Sequence, residues 1–226
     1  MKKPLILILL LSFITMQSYT SKHAAPASIM TVIEMSAASL SQKLNINSQA
    51  VQFAINGYNK LKEQGRLVNQ RYLTIADFSK PSSEERFYII DMEQQEMVVQ
   101  TLVAHGRNSG TLFATNFSNK NSSNQSSLGF YITGDIYSGK HGRSLVLQGV
   151  EPGINDKAKG RAIVLHGAAY VSNNAIQQMG YLGRSLGCPA VPDNQVKQII
   201  QTIQGESCLF IYAPDKTYLN LSKLIG

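Results

Sequence analysis

Cys188 and His166 are the two residues whose types and setting could carry covalent chemistry together. Cys188 stands in Gly183-Arg184-Ser185-Leu186-Gly187-Cys188-Pro189, where no apolar periodicity calls for a small buried residue. A free thiol ionises at about pH 8.5, so it is a strong nucleophile near neutrality only when an imidazole or a positive field assists it. His166 ends the apolar run from Ala162 where the chain breaks into Gly167-Ala168-Ala169, and it is the candidate base. Twenty-one residues separate the pair, so their meeting depends on folding. Gly187 frees the turn to aim its own N–H and that of Cys188 at one point, as the oxyanion of an acyl transfer requires. Taken alone, the pattern fits either a Cys-plus-His nucleophilic site or a Gly-rich turn carrying an inert thiol.

The other reactive types read differently. Cys208 lies in Ser207-Cys208-Leu209-Phe210-Ile211-Tyr212 and reads as core. Two cysteines are too few for a disulfide framework, so either they pair with each other or at least one is a working thiol. His105 and His141 each precede Gly, but their spacings match no compact zinc pattern, and no His-Glu-x-x-His occurs. No metal and no other cofactor is expected. His141, in Gly139-Lys140-His141-Gly142-Arg143-Ser144, is expected to line the cleft, and Tyr170 to pack beside the imidazole or touch substrate.

The elements that must position these residues follow from hydrophobic pattern. Residues 1–27 have the form of a secretory signal peptide and linker: Lys2 and Lys3, an apolar run from Leu5 to Met16, then small polar residues. That run is shorter than the roughly 20 apolar residues a bilayer span needs, and no later segment attempts one. A retained N-terminal anchor is the alternative. Residues 28–70 form an N-terminal helical segment, with Val51, Ala54, Ile55, Tyr58 and Leu61 at helical spacing, Ser48 as cap and Gly65 as stop.

From residue 71 to 226 a single catalytic domain is expected. Strand-like runs recur at 72–78, 87–92, 97–104, 130–133, 145–150, 162–166 and 208–213, which predicts a mainly β domain, an antiparallel sandwich or partial barrel. A short helix follows the Cys motif, from Pro192-Asp193 through Val196, Ile199, Ile200 and Ile203 to Gly205. The polar stretch 116–127 is a loop, either solvated or edging a cleft. The formal charge of +7 loses two units with Lys2 and Lys3, and the remaining basic residues are scattered. Nucleic acid is not implied; an anionic polymer such as cell wall fits.

Arg161-Ala162-Ile163-Val164-Leu165-His166-Gly167-Ala168-x-Tyr170-Val171-Ser172 and Gly183-Arg184-Ser185-x-Gly187-Cys188-Pro189-Ala190 together resemble the murein L,D-transpeptidase catalytic domain family of exported bacterial proteins. The likeness extends through Ser126-Ser127-x-Gly129-Phe130-Tyr131 and Tyr137-Ser138-Gly139-x-His141-Gly142. It implies an enzyme of the periplasm or cell surface, without an integral membrane segment after signal removal, whose partners are peptidoglycan stem peptides. Cys188 would form a thioester with a donor stem and expel a D-amino acid, and an acceptor amine would resolve it. His166 would move the protons, oriented by the Gly167 carbonyl. Resolution by water would make the same site an L,D-carboxypeptidase, and loss of turnover would leave a wall-binding module. A cysteine protease or sortase-like enzyme is a more distant alternative. Two departures stand out: the broader family's second His is Leu186, and its Arg or Asn after the Cys is replaced by Pro189-Ala190. Arg184 is the candidate to grip a stem carboxylate in compensation, with Ser185, Tyr170 and His141 as further substrate-binding candidates.

Overall fold

The computed structural model describes residues 37–140 and 142–226. The expected signal peptide, the start of the N-terminal helical segment and His141 lie outside the described residues. Within them, strands β1 (Tyr72–Asp77), β2 (Phe87–Asp91), β3 (Glu96–Thr101), β4 (Gly129–Gly139), β5 (Gly142–Gly149), β6 (Val164–Gly167), β7 (Ala190–Val191) and β8 (Cys208–Tyr212) form one sheet in the order β3-β2-β1-β8-β4-β5-β6-β7. After helical residues at 37–44 come helices α1 (Ser48–Glu63), α2 (Asn173–Met179), α3 (Asp193–Ile203) and α4 (Lys216–Leu221).

The sheet curls until its ends meet. The chain leaving edge strand β3 runs on to Ala104 and Gly106, which bridge to Ala190 and Ser185 beside the opposite edge strand, β7. The architecture is therefore the mainly β partial barrel, and not the sandwich alternative. Nor is it wholly antiparallel, because β1 pairs with β8 and β6 with β7 in parallel. Two predicted strands begin or end at least two residues inside the apolar runs. The third ends at Thr101, and the sixth starts only at Val164 because Ala162 takes a left-handed turn at φ 54°.

Strands β1, β2 and β8 are buried along nearly their whole length, which is why they read as continuous apolar runs. Helix α1 covers β1 and β8 with Val51, Ala54 and Leu61, while Phe130 and Phe210 stack at 4.2 Å between centroids. The α1 cap is Asn47 rather than the expected Ser48, since the Asn47 side-chain Oδ1 accepts from the N–H groups of Gln49 and Ala50. Gly65 follows the helix at φ 66°, as a left-handed stop should. Helix α3 lies against β6 and buries Ile199, Ile200 and Ile203.

The segment that closes the barrel is held by a buried pair. Arg86, fully buried, donates to the carbonyls of Val103 (3.1 and 3.0 Å) and Lys80 (2.7 Å), and its Nη2 lies 2.8 Å from His105 Nδ1. The guanidinium can only donate, so Nδ1 accepts and the ring proton sits on Nε2, which donates to the Gly110 carbonyl at 3.2 Å. Both ring nitrogens of His105 are thus engaged with protein groups. Burial, with the Arg86 charge beside it, pushes the imidazole down to about 4.

The linkage has a definite sign. The unfolded chain takes up the His105 proton near pH 6.5, whereas the folded one refuses it until about pH 4. This pair's contribution is complete above pH 6.5 and drains away as the pH falls to 4, a loss of about 3 kcal/mol. In His105→Gln the amide can accept from Arg86 and donate to Gly110 without titrating. Urea unfolding at pH 7 and pH 4 should show the wild type losing about 3 kcal/mol more than the variant between the two pH values. Equal losses would show that His105 carries no such linkage.

Candidate active site

Helix α3, the β6 strand and the turn before β7 build one corner of the molecule. Parallel pairing sets His166 opposite Ala190 and Gly167 opposite Val191, so Cys188 lies two residues before the partner of His166. The Cys188 sulfur accordingly rests beside β6. The Val164 N–H points at it from 3.5 Å, and the thiol donates to the Ala162 carbonyl at 3.7 Å. Val164 and His166 are two positions apart on one strand, so their side chains share a face. His166 is 2% exposed, and its Nδ1 lies 2.8 Å from the Gly167 carbonyl oxygen. A carbonyl only accepts, so the neutral ring carries its proton on Nδ1, and Nε2 is left as the basic nitrogen.

The turn that carries Cys188 is fixed from within. Ser185, buried, donates through its hydroxyl to the Cys188 carbonyl at 2.6 Å and accepts from the Gly187 N–H at 3.0 Å. This alters the expected oxyanion geometry. The Gly187 N–H is committed to Ser185, and it is the Cys188 N–H that faces its own sulfur. Gly187 is needed for its conformation, φ 127°, and for space, because a Cβ there would come within 2.9 Å of the Gln125 carbonyl oxygen. Ser185 is likewise occupied inside the turn.

The polar loop 116–127 edges the site. Its Ser126 hydroxyl donates to the Gly187 carbonyl at 3.1 Å and accepts from the Gly106 N–H at 3.0 Å. Arg161 binds this loop with both ends of its fork. Nη1 donates to the Ser118 carbonyl (2.8 Å) and the Ser127 hydroxyl (2.6 Å), while Nη2 donates to the Gln125 carbonyl (2.7 Å) and the Ser123 hydroxyl (3.2 Å). The same guanidinium abuts Gly187 and lies within electrostatic reach of the Cys188 sulfur. Burial pushes the Cys188 thiol up, and the Val164 N–H, Arg161 and the cysteine's own N–H oppose that rise. Sequence reasoning missed Arg161 as a site residue, although it begins the run that ends in His166.

The remaining candidates divide. Tyr170 is half-buried and packs on Gly183, where a Cβ would meet its side chain at 2.5 Å, so it ties the His segment to the Cys segment. Burial, with Cys188 and Asp193 nearby, pushes its phenol up to about 12. Arg184 is half-buried, donates to the Gly110 carbonyl at 3.2 Å and lies over the Tyr181 ring at 5.5 Å. Leu186 is 61% exposed, whereas Pro189 and Ala190 are buried, so no side chain at 189 or 190 faces solvent. Both cysteines are free thiols, and Cys208 is buried in β8. Among the described residues no group of three His, Cys, Asp or Glu could hold a metal ion, and no helix is long and apolar enough to cross a membrane.

Comparison with known proteins places this corner in context. The family model described as the L,D-transpeptidase catalytic domain matches residues 42–212. No curated protein matches the sequence. Similar solved structures include an L,D-transpeptidase from Mycobacterium smegmatis, 10% identical with a TM-score of 0.41, over 63% of this chain and 59% of that one. Another is the L,D-transpeptidase from Xylanimonas cellulosilytica, 13% identical with a TM-score of 0.39, over 73% and 80%. The helical cell shape determining protein Pgp2 from Campylobacter jejuni is 15% identical with a TM-score of 0.39, over 64% and 49%. The chain thus spans about three-fifths of the Mycobacterium smegmatis protein.

The position of Arg161 makes the thiol's reactivity depend on it. Arg161→Met should shift the pH midpoint of Cys188 alkylation upward, because the charge opposing the burial effect is gone. Arg161→Lys should restore most of the midpoint without restoring the fork, so loop 116–127 becomes a protease target in both variants. An unmoved midpoint in Arg161→Met would remove Arg161 from the site's electrostatics.

Proposed function

Since the chain belongs to the L,D-transpeptidase catalytic domain family, we propose that it is an exported cell-wall enzyme that uses Cys188 to acylate itself with a peptidoglycan stem peptide and passes the acyl group to an acceptor amine. The observation that carries this reading is the β6–β7 register, which sets the Cys188 turn beside the strand of a histidine oriented through Nδ1. Each half-reaction then has an assigned group.

In acylation the Cys188 thiol gives its proton to His166 Nε2, and the sulfur attacks the carbonyl of a peptide bond between an L-centre and a D-residue. A C–S bond forms, and the oxyanion is met by the Cys188 N–H rather than by that of Gly187, which Ser185 holds. The imidazolium returns the proton to the leaving nitrogen, the C–N bond breaks, and a D-amino acid departs. Gly167 contributes its carbonyl, which fixes the tautomer on which this transfer depends.

Binding of the stem uses side chains around the turn. Arg184 retains unused N–H donors for a stem carboxylate beyond its contacts to Gly110 and Thr111. Tyr170 lines the approach in this reading, His141 is kept as a substrate-binding candidate, and Ser185 acts through the shape of the turn. The raised thiol sets a requirement for the base: because burial favours the neutral sulfur, proton transfer to His166 has to accompany attack.

Incubation with disaccharide-tetrapeptide fragments should yield a cross-linked dimer by mass analysis, with shortened tripeptide as the product when water resolves the thioester. Cys188→Ala should give neither, and His166→Gln should slow turnover by roughly a hundredfold or more. Only tripeptide would identify a carboxypeptidase. Turnover persisting in Cys188→Ala would overturn the proposal.

A further inference from the structure

Next to the His166–Gly167 step lies a cavity of about 320 Å³ lined by Gly167, Ala168, Ala169, Tyr170 and Asp193. Four of these five residues offer backbone, methyl groups or a phenol, and Asp193 is the charged one. Its side chain is exposed at the start of α3, and among the described residues no cation pairs with it; the ion pairs there are Arg71–Asp91 and Lys80–Glu84. The carboxylate sits close over the backbone of Gly167, where a Cβ would come within 2.6 Å of Asp193 Oδ1. Glycine at 167 therefore brings an acidic group up to the residue whose carbonyl orients the catalytic imidazole. Tyr170, on the same wall, packs on Gly183 of the segment that carries Cys188, so the cavity adjoins that segment.

We propose that Asp193 is the docking carboxylate for the acceptor: it receives the primary ammonium group of the amine that resolves the Cys188 thioester. This rests on the acyl-transfer reading above. A primary alkyl amine titrates near pH 10.4 and so arrives protonated at neutral pH. It must be held near a base that can take a proton, and the Asp193 carboxylate, close over Gly167, the residue that follows His166 on β6, would hold it on the strand that carries that base. The step balances. The ammonium gives one proton through His166 Nε2 to solvent, and its nitrogen attacks the thioester carbonyl. A C–N bond forms and the C–S bond breaks. The second nitrogen proton passes to the departing sulfur, which regenerates the Cys188 thiol.

Charge is the property that separates this site from a structural one. With the tetrapeptide-stem fragment as donor, the test measures how the thioester partitions between water and an added nucleophile, using Nα-acetyl-lysine amide as the cationic acceptor and hydroxylamine as an uncharged one. In Asp193→Asn the concentration of the lysine derivative at which aminolysis equals hydrolysis should rise roughly fivefold at low salt. Asp193→Glu should bring it back toward the wild-type value, and added salt should shrink the difference. Partition to hydroxylamine should be alike in wild type and Asp193→Asn. Equal shifts for both nucleophiles, or no shift for the lysine derivative, would overturn the assignment of Asp193 while leaving the thioester reading in place. Absence of any thioester on wild-type Cys188 would instead overturn that reading, and this assignment with it.

Discussion

The parallel pairing of β7 with β6 is the constraint on which the rest depends. Only two residue pairs define it, His166 with Ala190 and Gly167 with Val191, yet it brings together segments more than twenty residues apart. A shift of one residue would put side chains on opposite faces of the strand and move the sulfur away from Val164. So short a strand cannot hold its own register. It is held instead by the chain leaving β3, whose Ala104 and Gly106 bridge to Ala190 and Ser185, and that chain is in turn fixed by buried Arg86 and His105. Barrel closure and the placement of the Cys188 turn are therefore one event.

A second constraint acts on the electrostatics of the thiol. Burial beside β6 disfavours the thiolate, and three groups work against it: the Val164 N–H, the Cys188 N–H and the Arg161 guanidinium. Arg161 is also the anchor of the polar loop at 116–127, so the loop's position and the field at the sulfur are coupled. Ser126 adds a direct link from that loop to the Gly187 carbonyl. A stretch whose composition says only that it cannot form core thus becomes a wall of the site.

Much of this was legible in the sequence, for identifiable reasons. The strands announced themselves because β1, β2 and β8 are buried on both faces and read as unbroken apolar runs. Cys188 stood out because nothing in its surroundings called for burial, and His166-Gly167 because a strand ends there in small residues. What escaped was non-local or short. Arg161 binds carbonyls and hydroxyls 34 to 43 residues away, and no spacing rule reports such partners. That the Gly187 N–H is engaged by the Ser185 hydroxyl, two residues back, was likewise not legible in the spacing. Helix α2 carried its marks, a Ser172 cap and a left-handed Gly180, but its seven residues hold too little apolar periodicity to be read. The two parallel pairings join segments distant in the chain, which alternation patterns do not encode.

The central claim is that Cys188 becomes the acyl carrier. Intact-protein mass spectrometry after brief exposure to a tetrapeptide-stem donor, quenched in acid, tests it most directly. The account predicts a mass increase equal to the donor less one D-amino acid, located by peptide mapping on Cys188 and labile to hydroxylamine. A protein of unchanged mass that nonetheless turns the donor over, or an adduct carried on any other residue, would contradict it.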